Sequence, residues 1–144
     1  MANEWTKVEL YGQNNDGDCR RFAIADGVAV SKGTLLALVD VGGTRTASAA
    51  VIASKVYAGI ASEEHLPNQS VTTIAVWTNG IFEATASGAV GMGSPITGAE
   101  YNFFQSVKEN AATSGCAIAS GAGIFGYSFE EAADAEKVNV RLRL

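Results

Sequence analysis

The stretch Gly59–Val76, GIASEEHLPNQSVTTIAV, decides how the chain is read, because its outline returns at the end in Gly126–Leu144, GYSFEEAADAEKVNVRLRL. Gly59 matches Gly126, Glu63-Glu64 match Glu130-Glu131, and Val71 matches Val138, all at one offset. After each acidic pair comes a short polar stretch, then a strand whose apolar residues alternate. The likeness reaches further back. Ala29-Val30-Ser31-Lys32-Gly33 and Ala89-Val90-Gly91-Met92-Gly93 share an AVxxG frame, with Phe22 and Phe82 at the same distance before the valine. Each half therefore reads as a strand, an AVxxG loop, further strands, Gly-x-x-x-Glu-Glu and an alternating strand. A repeat made of strands and turns builds scaffold rather than a reacting site.

The rest of the chain carries the same signals. Trp5–Gly12, WTKVELYG, alternates with Thr6, Val8 and Leu10 on one side, which reads as a strand with one apolar face. QNNDGD, residues 13–18, is rich in residues that tolerate positive φ and reads as a turn. Gly42-Gly43 in VGGTRT and Asn79-Gly80 in WTNGIF are tight-turn signals, and Pro95 fixes a bend. Ala47–Ala61, ASAAVIASKVYAGIA, is read as extended despite its alanines, on the strength of Val51, Ile52, Val56, Tyr57 and Gly59. EEAADAEKV, from Glu130, is the one helix-like window, and it is too short to be stable alone. Many short strands at a spacing of about 8–12 residues predict an all-β chain. The expected body is a small β-barrel or β-tulip-like unit of short strands, with an extended N-terminal arm and little helix. Residues 1–144 form one domain, in which 20–144 are the β body and 1–12 are either an arm or an ordinary first strand.

Bulk properties narrow the function. A chain of 144 residues suits one domain and buries about 68–70% of its unfolded surface without metals or disulfides. It is 47% hydrophobic but only 8% aromatic, with 16 Gly and 2 Pro, so the core is expected to be thin and built of small side chains. The 17% charged content lies below the usual level of about 25%, which suggests that a partner covers part of the surface. Net charge is −5 with a pI near 4.8. Arg20-Arg21 and Arg141/Arg143 are the only basic clusters, too few for a phosphate footprint, so no nucleic-acid partner is expected. No apolar run approaches the roughly 20 residues of a membrane span, and the first residues lack a signal-peptide core, so a protein made in a cytoplasm and free of membranes is expected.

A search for chemistry finds little. His65 is the single histidine and reads as a solvated loop residue, whose loss is expected to leave the fold intact. Adjacent carboxylates on a strand point to opposite faces, so Glu63-Glu64 and Glu130-Glu131 read as solvated charges rather than acid–base pairs. Cys19 and Cys116 have no zinc spacing and read as buried free thiols, with one disulfide the other option. The chain has no P-loop, Ile96 stands where a dinucleotide fingerprint needs its third glycine, and Ser120 lacks a nucleophile elbow. No enzyme activity, metal or cofactor is expected. Two other readings stay open. Trp5, Trp77, Tyr101, Phe103 and Phe104 could form a platform for a carbohydrate or small ligand. The hairpin DGVAVSKGTLLALVD also resembles that of biotinyl and lipoyl carrier domains, with Lys55 the nearest candidate for modification.

Over residues 20–144 the chain resembles the bacteriophage head decoration (cement) proteins, a family some of whose members carry the label of phage recombinase. The residues that carry the resemblance are FAIADGVAVSKGTLLAL (Phe22–Leu38), YAGIASEE (Tyr57–Glu64), WTNGIFEATASGAVGMGSPI (Trp77–Ile96) and the ending from Gly126. The acidic N-terminal segment and YNFFQSVKENAATSG, from Tyr101, depart from the family pattern. The resemblance implies a trimeric β body seated on the outer surface of an icosahedral head, with the major capsid protein and further copies of itself as partners. It implies a virion location and a role in stabilising the mature head; the recombinase label finds no support without a P-loop. Asn3, Glu4, Trp5, Thr6 and Lys7 are the candidate capsid or subunit contacts, because an exposed strand can add to another protein's sheet and Trp is a favoured anchor.

Overall fold

The computed structural model describes residues 3–9, 19–25, 27–49, 56–67, 70–99, 102–106 and 124–144. Eleven strands run through them: β1 (Thr6–Glu9), β2 (Cys19–Ile24), β3 (Leu35–Val41), β4 (Thr44–Ser48), β5 (Tyr57–Ala61), β6 (Thr73–Trp77), β7 (Asn79–Thr85), β8 (Pro95–Gly98), β9 (Phe104–Ser106), β10 (Gly126–Ser128) and β11 (Lys137–Arg143). The described residues contain no α-helix. The helix-like window from Glu130 is instead a bridge at Ala132, a turn at Asp134-Ala135 and the start of β11, so pairing with β7 prevails over alanine's helix propensity.

The repeat is real and organises the molecule. β2, β4, β3, β5 and β6 pair in a closed five-stranded barrel. β7, β11, β10, β8 and β9 follow the same order in a second sheet, with β1 added on the outer edge of β7. A parallel bridge from Ala86 to Phe104 brings β9 back beside β7, as β4 stands parallel to β2 through Ala23 and Ile24. The AVxxG loops make matching bonds. Gly33 N donates to Ala61 O and Gly93 N to Ser128 O, both at 2.8 Å, while Val30 exchanges bonds with His65 as Val90 does with Ala132. The first glutamate of each acidic pair is also structural rather than merely solvated. The carboxylate of Glu63 accepts Ala75 N at 2.9 Å, and that of Glu130 accepts Asn139 N at 2.8 Å.

These bonds correct two of the sequence matches. Ile24 N donates to Thr72 O as Ala86 N does to Glu136 O, so Ile24 corresponds to Ala86, Phe22 to Ala84, and Ile74 to Val138. Phe82 therefore corresponds to Arg20, and Val71 lies outside β6. The connecting loops are longer in the first half, which shifts the alignment between the anchored positions.

Turn chemistry succeeds once and fails once. Gly42 and Gly43 have φ of 58° and 82° and close the β3–β4 hairpin, with Asp40 Oδ1 accepting Gly43 N at 2.8 Å. Asn79-Gly80, by contrast, opens β7 and pairs with β11. Only Thr78 separates β6 from β7, and those two strands belong to different sheets. The turn expected at residues 13–18 lies outside the described residues.

Packing divides into two clusters. Ile24, Val30, Leu36, Ala47, Ala58, Ala61, Ile74 and Val76 fill the first barrel. The larger cluster joins the second sheet's inner residues, among them Phe82, Val90, Ile96, Phe104, Phe125 and Val140, to Leu35, Tyr57, Ile60 and Trp77 of the first half. At the β2–β4 contact Ile24 faces Ala47, whereas at the matching contact Ala86 faces Phe104. Large and small exchange sides, so each half fills its seam differently.

Ile24→Ala in the first barrel should lower stability by about 2–5 kcal/mol, and Ala47→Phe by about 1–3 kcal/mol through overpacking. The double variant, which copies the second half, should lose less than the sum; an additive result in urea denaturation would contradict the pairing. A Cβ on Gly59 would collide with the Trp77 carbonyl oxygen, and one on Gly126 with that of Arg141. Gly59→Ala and Gly126→Ala should each cost about 2 kcal/mol or more in the same assay.

Candidate functional site

His65 sits at the heart of the first half and is 2% exposed, not a solvated loop residue. Its backbone exchanges two bonds with Val30, which draws the side chain inward. The ring's Nδ1 lies 2.6 Å from Val28 O and its Nε2 lies 2.7 Å from Val71 O, so the ring ties the AVxxG loop to the approach to β6. Ala132 holds the matching place in the second half, which shows that the fold needs an inward residue there and not an imidazole. Among the described residues, no group of three His, Cys, Asp or Glu side chains stands close enough to hold a metal ion.

The other sequence candidates are scattered. Cys19 is an exposed free thiol on β2 rather than a buried one. Of the proposed aromatic platform, Trp5, Trp77 and Phe104 are core residues, and Phe103 is half-buried. Tyr101, Cys116, Lys55 and Ser120 lie outside the described residues.

The N-terminal candidates do come together, though as part of the body rather than as an arm. β1 pairs antiparallel with β7, from Thr6 opposite Glu83 to Glu9 opposite Ile81. Trp5 N donates to Gly33 O at 2.7 Å, and the indole Nε1 donates to Asn102 O at 2.7 Å. The ring is 3% exposed and packs among Phe82, Phe104 and Phe125. Burial of this much aromatic surface, with the indole N–H satisfied, explains why the segment closes on the body. Glu4, Trp5, Thr6 and Lys7 line a shallow cleft with Lys32 and Trp77, where the Lys7 and Lys32 ammonium groups stand 5.6 and 5.5 Å from the Trp77 ring centre. Asn3 precedes this cleft, half-buried, with φ of 63°.

Asn102 is the residue that sequence reasoning missed. It is buried, and besides accepting the Trp5 indole on its carbonyl it accepts Leu35 N on Oδ1 at 3.0 Å, stapling the two halves. Tyr57 acts similarly: its hydroxyl accepts Gly98 N at 3.1 Å, and its ring lies 4.9 Å from that of Phe125. No local motif announces either role.

The second half bears an exposed apolar face. Ile124 and Tyr127 hold the places that Tyr57 and Ile60 hold in the first half. Tyr57 and Ile60 are buried between the halves, whereas Tyr127 is 48% exposed and Ile124 is 38% exposed. Met92 and Phe129 are also exposed, on the turn and strand end joined by the Gly93–Ser128 bond.

No protein-family model matches the chain, and no curated protein matches its sequence. Among solved structures, the chain is similar to the head fiber gp8.5 N base in bacteriophage phi29, with a TM-score of 0.53 and 16% identity. The match covers 87% of this chain and 94% of that one. The two proteins share a fold.

Trp5→Ala should destabilise the whole protein by about 3–5 kcal/mol, with thermal unfolding as the check, whereas Thr6→Ala on the exposed side of β1 should change little. His65→Ala should lower stability by about 1–3 kcal/mol through the carbonyls it leaves without its ring, contrary to the expectation for a loop histidine; an unchanged urea midpoint would refute the clamp.

Proposed function

We propose that this protein is a structural component of a bacteriophage virion, seated on the outer surface of the head, where it binds the major capsid protein and stabilises the mature shell. The observation that carries this reading is the fold shared with a head fiber base over nearly the full length of both chains. The resemblance to head decoration proteins, drawn from other features of the chain, points the same way. The role is mechanical rather than catalytic: two copies of one β unit, locked together by Trp5, Tyr57 and Asn102, make a rigid body that presents loops and sheet edges outward.

The protein acts as a homotrimer. The exposed face of Ile124 and Tyr127 supports self-association, because the same positions in the first half are covered by protein. Closed rotational symmetry is the usual result when such a face is covered by another copy.

Purified protein mixed with undecorated heads should pellet with them and raise the temperature at which they rupture. Failure to co-sediment at saturating concentration would remove the capsid reading. Light scattering should give a trimer mass, and Tyr127→Glu should shift it toward monomer without unfolding the chain. A wild-type protein that stays monomeric both in solution and in density on the head would exclude the trimer.

A further inference from the structure

The two halves share a frame but not what fills it. In the second half, β1 lies antiparallel on the outer edge of β7 along Ile81–Glu83. Trp5 fills the seam beside it, with the rings of Phe82, Phe104 and Phe125 centred 6.3, 6.2 and 5.6 Å away and Asn102 O accepting its indole N–H. Under the matched hydrogen bonds, Ile81–Glu83 correspond to Cys19–Arg21, and Phe82, Asn102 and Phe125 correspond to Arg20, Arg45 and Ala58.

At that place the first half has a cleft of about 320 Å³, lined by Arg20, Phe22, Leu38, Arg45, Tyr57 and Ala58 among others. Phe22 and Leu38 give it apolar walls, and alanines stand at 47 and 58 where the second half has phenylalanines. Among the described residues, the adjoining strand edge is open as well. Cys19–Phe22 pair with β6 on one side, while on the other side only Ala23 and Ile24 meet β4. Among the described residues, then, no strand lies where β1 lies on β7.

We infer that this edge and cleft receive an extended segment of another protein chain, which adds antiparallel to β2, buries a large apolar side chain in the cleft and sets an acidic residue opposite Arg20. The second half supplies the template for backbone and anchor, since β1 with Trp5 occupies the matching place. Strand addition of this kind draws affinity from main-chain bonds and selectivity from the side-chain pocket. Charge supplies the rest. Lys7 stands opposite Phe82 in β1, so the corresponding residue of an incoming strand stands opposite Arg20. Arg20 and Arg45 are exposed and make no ion pair with a described residue. Opposite charges directly across a strand pair stabilise it, and like charges oppose it. The inference rests on the match between the halves and not on the virion reading, so either can fail alone.

The probes are two synthetic peptides with the sequence Asn3–Glu9, one unchanged and one carrying Lys7→Glu, titrated into the intact protein. The Glu peptide should bind wild type about two- to five-fold more tightly than the Lys peptide, and Arg20→Glu should reverse that order. Replacing the peptide's tryptophan by alanine should weaken binding about ten-fold or more. Bound peptide should also slow alkylation of Cys19, the exposed thiol on this edge. The inference is overturned by no binding at millimolar peptide or by a preference that Arg20→Glu leaves unchanged. Unchanged Cys19 alkylation also overturns it, since that is what exchange with the chain's own β1 on β7 would give.

Discussion

At Gly59 and Gly126 one strand crosses the next so closely that a side chain would run into a carbonyl oxygen. The remaining architecture follows from this approach. Beside Gly59 the register slips: Leu36 pairs with Gly59 and Ala37 with Tyr57, leaving Ala58 as an extra residue. A bulge of this kind re-aims the side chains on either side of it. Tyr57 and Ile60 thereby face the other half, while Ala58 and Ala61 face the barrel interior. Beside Gly126, Phe125 turns inward while Ile124 and Tyr127 stay outside. One tight crossing, used twice, sorts core from outer face in both halves.

Given that shared frame, the differences between the halves carry the information. Ile24 with Ala47 and Ala86 with Phe104 fill equivalent seams with opposite size orders, a form of compensation that cores tolerate when total volume is kept. Ile60 became part of the contact between halves, and Tyr127 stayed at the surface. The His65 ring spans two loops, whereas Ala132 keeps only the backbone bonds to its AVxxG loop. A duplicated unit keeps its hydrogen-bond frame and varies the side chains around it.

Much of this was legible in the residues. Alternation in Lys137–Leu144 and in Thr73–Trp77 marked real strands, and Gly42-Gly43 marked a real hairpin because a primed turn needs positive φ at both positions. The AVxxG frame held through the backbone bonds of its valine and its glycine in each half. The Gly-x-x-x-Glu-Glu frame held through the first glutamate, whose carboxylate accepts a backbone N–H in each half. The Phe22–Phe82 and Val71–Val138 matches failed because equal spacing along a sequence does not survive loops of unequal length. Asn79-Gly80 misled because a turn dipeptide is also suited to a crossing between sheets. The candidate site was the least legible part. Whether Trp5 anchors a partner or fills a core depends on Asn102, Phe104 and Phe125, and contacts at such sequence separation leave no local pattern.

The pairing of β1 with β7 sets an order of events during synthesis. Among the described strands, β2 through β6 pair only with one another and follow consecutively along the chain, so the first barrel has all these strands once Trp77 has been made. β1 is made before any of them, yet its partner strand follows Thr78, and the last ring against which Trp5 packs, Phe125, comes later still. Because chains emerge from the N-terminus, the tryptophan made earliest is among the last to be covered. Its closure reports that the second half has arrived, and until then the growing chain carries a bare aromatic beside an unpaired strand.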